Sequence, residues 1–167
     1  PMVRVKIRHI LAPAQVTVSP TKGALRVVSP GASTTHVDTA LRVSRHYGRW
    51  LGVPLSVAES DVIEIHSDHP ISVSQSTGKV RQYHGSIRLF AAKDAEPPNS
   101  FLVINDVLME DYIPGVLAGE LYEGWHDAAF EAQAIAARAF AVSECQHRRH
   151  HAWDVTDTQA SQAYVGI

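Results

Sequence analysis

Phe101-Leu102-Val103-Ile104-Asn105-Asp106-Val107-Leu108-Met109-Glu110-Asp111-Tyr112-Ile113-Pro114-Gly115-Val116-Leu117-Ala118-Gly119-Glu120 contains the change of secondary structure on which the fold turns. Phe101 to Ile104 is a compact apolar run ending at Asn105-Asp106, the pattern of a buried strand. Leu108 to Ala118 is rich in helix formers, and Pro114 and Gly115 predict that this helix is short, bent or interrupted.

Downstream, Asp127 is a candidate N-cap for the strongest helix in the chain, which runs from Ala128 to about Cys145 without Gly or Pro. Its expected apolar stripe is Ala132, Ile135, Ala136, Ala139, Phe140 and Val142. At about 100° per residue, Gln133 and Arg138 fall on opposite borders of that stripe, so each should tie a different edge of the helix to its surroundings. Upstream, a polar, turn-rich break at 93–100 follows a succession of short β-type runs: Val3–Leu11, Gln15–Ser19, Ala24–Val28, Val62–His66, Ile71–Val73 and Gln82–Phe90. In Val3-Arg4-Val5-Lys6-Ile7-Arg8 apolar and basic residues alternate strictly, giving a strand whose basic side is either a solvated face or a binding stripe. The chain therefore reads as α+β, with a β-rich N-terminal region over 1–80 and a helix-containing core over 81–167.

The 167 residues, 45% hydrophobic and 19% charged, suffice for one globular domain with a real core. A formal charge of −2 supplies no field that would gather nucleic acid or an anionic membrane, and a neutral polymer such as a sugar chain fits as well. One cysteine, Cys145, rules out a disulfide framework within the chain. No apolar run reaches the roughly 18–20 residues of a membrane span, and Pro1-Met2-Val3-Arg4 has no apolar run of the kind an export signal carries.

The block Val103 to Glu120 resembles the core of the stage II sporulation protein D (SpoIID) and LytB amidase-enhancer family, "v-N-x-v-x-x-E-x-Y-l-x-G-V-v-x-x-E". Glu131-Ala132-Gln133-Ala134-Ile135-Ala136-Ala137-Arg138-Ala139-Phe140-Ala141 is similar to the helix that follows it in that family. Tyr83-His84-Gly85-Ser86-Ile87 resembles the strand upstream, and Asp154-Val155-Thr156-Asp157-Thr158 with Gln162-Ala163-Tyr164-Val165-Gly166 the segment downstream. The family's Thr-Tyr after the helix arginine is Ala139-Phe140 here, and the methionine after its second glutamate is Leu121. Family domains continue well past the tyrosine-glycine segment, so the resemblance implies that part of the cleft lies beyond these residues or comes from another chain.

The resemblance implies lytic transglycosylase action on peptidoglycan glycan strands, outside the cytoplasmic membrane, or enhancement of a cell-wall amidase by a non-catalytic glycan-binding module. In a lytic transglycosylase the sugar's own hydroxyl replaces water, so one carboxyl can protonate the leaving oxygen and then accept the attacking hydroxyl's proton. Glu120 is the residue carried over as catalytic. A two-carboxylate glycosidase needs its carboxyls within about 5–9.5 Å. On one continuous helix Glu110 and Glu120 would stand about 15 Å apart along the axis and on different sides. Substrate-binding candidates are Glu110, Tyr112, Gln133, Arg138, Asp157, Gln162 and Tyr164. Each also has a plain structural reading: Glu110 as a capping or orienting group, Tyr112 as core beside Val116, Gln133 and Arg138 as partners of buried polar groups.

No cofactor is required by this chemistry. Among the ten histidines, the cluster Cys145, His147, His150 and His151 could hold a structural zinc, and His66, Asp68 and His69 form a weaker cluster. Arg148 and Arg149 oppose a cation at the first, and basic residues suit a helix C-terminus in any case.

Overall fold

A computed structural model describes residues 1–10, 13–75, 78–91 and 98–167. Leu11 of the first expected strand, and most of the expected turn-rich break at 93–100, lie outside the described residues.

Two antiparallel-rich sheets stack their apolar faces on each other. The larger has the order β12-β1-β11-β10-β7-β3-β4, built from β1 (Met2–Lys6), β3 (Leu25–Val28), β4 (Thr35–Val37), β7 (Val62–His66), β10 (Ser86–Ala91), β11 (Phe101–Leu108) and β12 (Val155–Thr156). The smaller has the order β6-β5-β2-β8-β9, from β2 (Gln15–Pro20), β5 (Leu41–His46), β6 (Arg49–Leu51), β8 (Ile71–Ser74) and β9 (Arg81–Tyr83). Two helices among the described residues follow, α1 (Met109–Glu120) and α2 (Asp127–His147), so the α+β reading holds. The larger sheet takes strands from both sides of residue 80.

Period-2 alternation explains the layering. Val3, Val5 and Ile7, or Val16 and Val18, point inward and are buried, as a half-buried strand requires. Central β11 is covered on both faces, with Val103, Ile104, Asn105 and Val107 all buried. Its register against β1 pairs Val3 with Val107 and Val5 with Asn105.

Four expectations need correction. The run Gln82–Phe90 is two strands in different sheets, because the chain turns a corner at His84-Gly85. Gly85 has φ +81°, and a Cβ there would fall 2.1 Å from the Asp106 carbonyl oxygen, so only glycine fits. The basic side of β1 is not simply solvated: Arg4 and Lys6 are half-buried beneath residues 148–157. The expected stripe of α2 is not its buried face. Ile135 is 72% exposed, and Ala137 and Ala141 are buried instead, because α2 lies close against the rest of the protein through small side chains. Its cap is His126, whose Nδ1 accepts from the Ala128 N–H at 3.2 Å, one residue before the expected Asp127.

Pro114 removes one hydrogen bond from α1 without breaking it. Tertiary packing holds the helix: a Cβ on Gly115 would lie 2.4 Å from the Gly166 oxygen, and one on Gly119 2.2 Å from the Ala163 oxygen. The two glycines let residues 163–166 run directly against α1.

Candidate active site

Glu120 is the last residue of α1, and its side chain is exposed but held at both oxygens. Oε2 accepts from Gln133 Nε2 of α2 at 2.8 Å, and Oε1 accepts from the Ala163 backbone N–H at 3.0 Å. Three parts of the fold therefore fix one carboxylate. It stands on the wall of an open groove of about 480 Å³, lined also by small Ala118, Gly119 and Ala163 and by Leu121, Tyr122 and Gln159. A second hollow of about 250 Å³, bounded by His84, Asp111 and Pro114, shares Ala118 with the first and prolongs it along α1.

Glu110, at the other end of α1, receives a bidentate pair from Arg138 at 2.6 and 2.7 Å. That hydrogen-bonded guanidinium holds the Glu110 carboxyl below its ordinary pKa. Gln133 and Arg138 thus each tie a different part of α2 to α1, and the two glutamates sit on one continuous helix about 15 Å apart along its axis.

The aromatic and polar candidates from the C-terminal segment lie inside. Tyr112, Tyr164 and Gln162 are buried, as is Asp157. Tyr112 donates to Gln162 Oε1 at 3.0 Å, and its ring stacks at 5.0 Å on Tyr164. Tyr164 donates to Asn105 Oδ1 at 2.9 Å, while Asn105 Nδ2 donates to the carbonyls of His84 and Ser86. Burial pushes the phenols of Tyr112 and Tyr164 far above the usual range. Asp157 accepts from the Arg8 N–H at 2.6 Å and pairs with His9 Nδ1 at 2.5 Å. Together these contacts brace the segment that presents the Ala163 N–H to Glu120.

Two residues that the sequence reading did not single out stand out here. Tyr122 is 77% exposed and Trp125 51% exposed, with ring centroids 6.3 Å apart, immediately after Glu120. Large exposed aromatics beside a groove are a known form of sugar-stacking surface, and their position two and five places past the glutamate was the available signal.

The histidine-rich clusters are not gathered. Cys145 Sγ faces the Met2 carbonyl, His147 Nδ1 faces the Ser143 carbonyl, and His150 contacts Arg149; His151 is exposed. His66 pairs with Glu64 and Asp68 with Arg26. Among the described residues no three His, Cys, Asp or Glu side chains are grouped to hold a metal, so the donor set does not fit a zinc and no step below passes through one.

What the fold and groove define is an α+β domain with one braced glutamate lining an open groove. Residues 98–167 match the SpoIID family model, described as Stage II sporulation protein. That match points to a cell-wall-related, extracytoplasmic role, and no helix of the described residues is long and apolar enough to cross a membrane. An uncharacterized protein of Brachyspira hyodysenteriae is 33% identical over 86 residues, covering 51% of this chain. The aligned part is 22% of that relative's length. No solved structure matches the chain significantly.

Proposed function

We propose that the domain is a peptidoglycan lytic transglycosylase that cleaves the bond between N-acetylmuramic acid and N-acetylglucosamine in glycan strands, with Glu120 as its general acid and base. The observation that carries this reading is the placement of Glu120: a lone carboxylate, fixed by Gln133 and the Ala163 N–H, on the wall of an open groove. In the first half of the reaction Glu120 gives its proton to the glycosidic oxygen. In the second it takes the proton of the muramic acid C6 hydroxyl as that oxygen attacks C1, closing an anhydro ring without water. Gln133 suits both states, since its amide can donate to the ionised carboxyl or, turned over, accept from the protonated one.

One carboxyl is enough for this sequence. Glu110 is too far along the helix, and too firmly held by Arg138, to serve as a second. Tyr122 and Trp125 offer apolar faces for the pyranose rings, and the groove's continuation toward His84 gives length for a strand. The buried Tyr112, Gln162, Tyr164 and Asp157 would act as positioning residues for the Ala163 segment.

A second reading is favoured by the exposure of Glu120 and the engagement of both its oxygens: a non-catalytic module that grips glycan and stimulates a wall amidase. Mass spectrometry of peptide-stripped glycan strands incubated with the chain and with Glu120→Gln separates the two. Anhydro-muramic ends formed by the wild type alone support the enzyme. Glycan retention by both proteins, with neither giving product, supports the binding module.

A further inference from the structure

Strand β1 carries Arg4 and Lys6, and Arg8 just past its end continues the alternation, opposite to buried Val3, Val5 and Ile7. The segment after α2 lies across this basic side. Asp154 neutralises Arg4, accepting from Nε at 3.1 Å and from Nη2 at 2.5 Å. Lys6, Arg8 and Arg148 have no ion-pair partner among the described residues. Lys6 Nζ instead stands 4.3 Å above the Trp153 ring, and the Arg148 guanidinium lies 5.5 Å from the same ring.

Arg8, Arg148 and Trp153 border a cavity of about 340 Å³ that is separate from the glutamate groove and is walled also by Phe140, Glu144, Asp154, Thr156 and Ser161. We propose that this cavity binds a small monocarboxylate with an apolar body, of amino-acid to dipeptide size. The volume sits near the lower end of small-molecule sites, about 300–1,000 Å³. Two guanidinium groups supply planar donor forks that match a carboxylate, and the two hydroxyls can complete its hydrogen bonding. Phe140, 38% exposed, and Trp153 offer the apolar walls for the rest of the ligand. Two carboxylates also line the cavity: Asp154 is already paired with Arg4, so Glu144 sets the charge preference, in which one negative charge is welcome while a dianion meets a carboxylate.

Isothermal titration calorimetry of the intact chain with N-acetyl-alanyl-alanine, its C-terminal amide and inorganic phosphate tests the assignment. The acid should bind, with the amide and phosphate each weaker by about tenfold or more, the scale of a lost charge-assisted pair. Arg8→Gln, at an exposed position, should lower affinity for the acid by about tenfold, as should Phe140→Ala through the apolar wall. Equal binding of acid and amide, tighter binding of phosphate, no measurable binding of the acid, or an unchanged affinity in Arg8→Gln would each overturn the proposal. Arg8→Gln should leave glycan processing at Glu120 unaltered, so failure of one site is distinguishable from failure of the other.

Discussion

The contact between Tyr164 and Asn105 offers a quantitative test of how the C-terminal segment is held. Asn105 is fully buried and spends all of its side chain: Nδ2 donates to the His84 carbonyl at 2.8 Å and the Ser86 carbonyl at 3.1 Å, and Oδ1 accepts from Tyr164 at 2.9 Å. Tyr164→Phe leaves one buried acceptor without its donor, which costs about 1–3 kcal/mol. Asn105→Ala leaves a phenol hydroxyl and two carbonyls without their partner and opens a small cavity, and should cost about 3–5 kcal/mol. At about 2–4 °C per kcal/mol for a chain of this size, the two melting temperatures should fall by about 2–12 °C and 6–20 °C. In the double variant the phenol is no longer orphaned, so the combined loss should be less than the sum by about 1–2 kcal/mol. Urea unfolding of the four proteins, followed by circular dichroism, measures the cycle. Additivity within about 0.5 kcal/mol would refute the claim that this hydrogen bond anchors the segment.

Gly119→Ala should lower glycan processing by about tenfold and stability by up to about 2 kcal/mol. The added Cβ drives the Ala163 carbonyl away and breaks the N–H contact to Glu120, whereas the helix gains about 1 kcal/mol against an overpacking cost of about 1–3; thermal melts beside kinetic assays check it. Trp125→Ala and Tyr122→Ala, at exposed positions, should leave stability within about 0.5 kcal/mol and raise KM for glycan several-fold with kcat preserved. Burial pushes the Cys145 thiol up to about 11, so at pH 8 iodoacetamide should alkylate the folded chain about a hundredfold more slowly than the urea-unfolded one, with the rate climbing toward pH 11. Equal rates would contradict the burial of its sulfur.

Strands with strict alternation, such as Val62–His66, were legible because a half-buried strand writes its period into the sequence. The switch from β11 to α1 and the position of Glu120 at a helix end were legible for the same kind of reason. The hairpin of β5 and β6 was missed: both strands are short and largely polar, and the one strong cue is Tyr47-Gly48, whose φ values of +47° and +79° make the turn. The buried face of α2 misled because alanine is a weak hydrophobic marker, while Ile135 and Val142 on the other side are strong ones. Burial of Tyr112, Tyr164 and Gln162 depends on partners about 50–60 residues away, and pairing at that range leaves no local pattern to read.

The placement of β1 has a consequence for how the chain folds as it is made. Val3 pairs with Val107, and Val5 pairs in parallel with Val155, so the first strand waits for neighbours that leave the ribosome about 100 and 150 residues later. At a synthesis rate of about 5–20 residues per second that is many seconds with an unpaired, half-apolar strand. The pairs β2–β5, β5–β6 and β2–β8 can form within the first half of the chain. The larger sheet closes only when β11 and β12 arrive, and the Glu120 groove forms only once Ala163 has followed them.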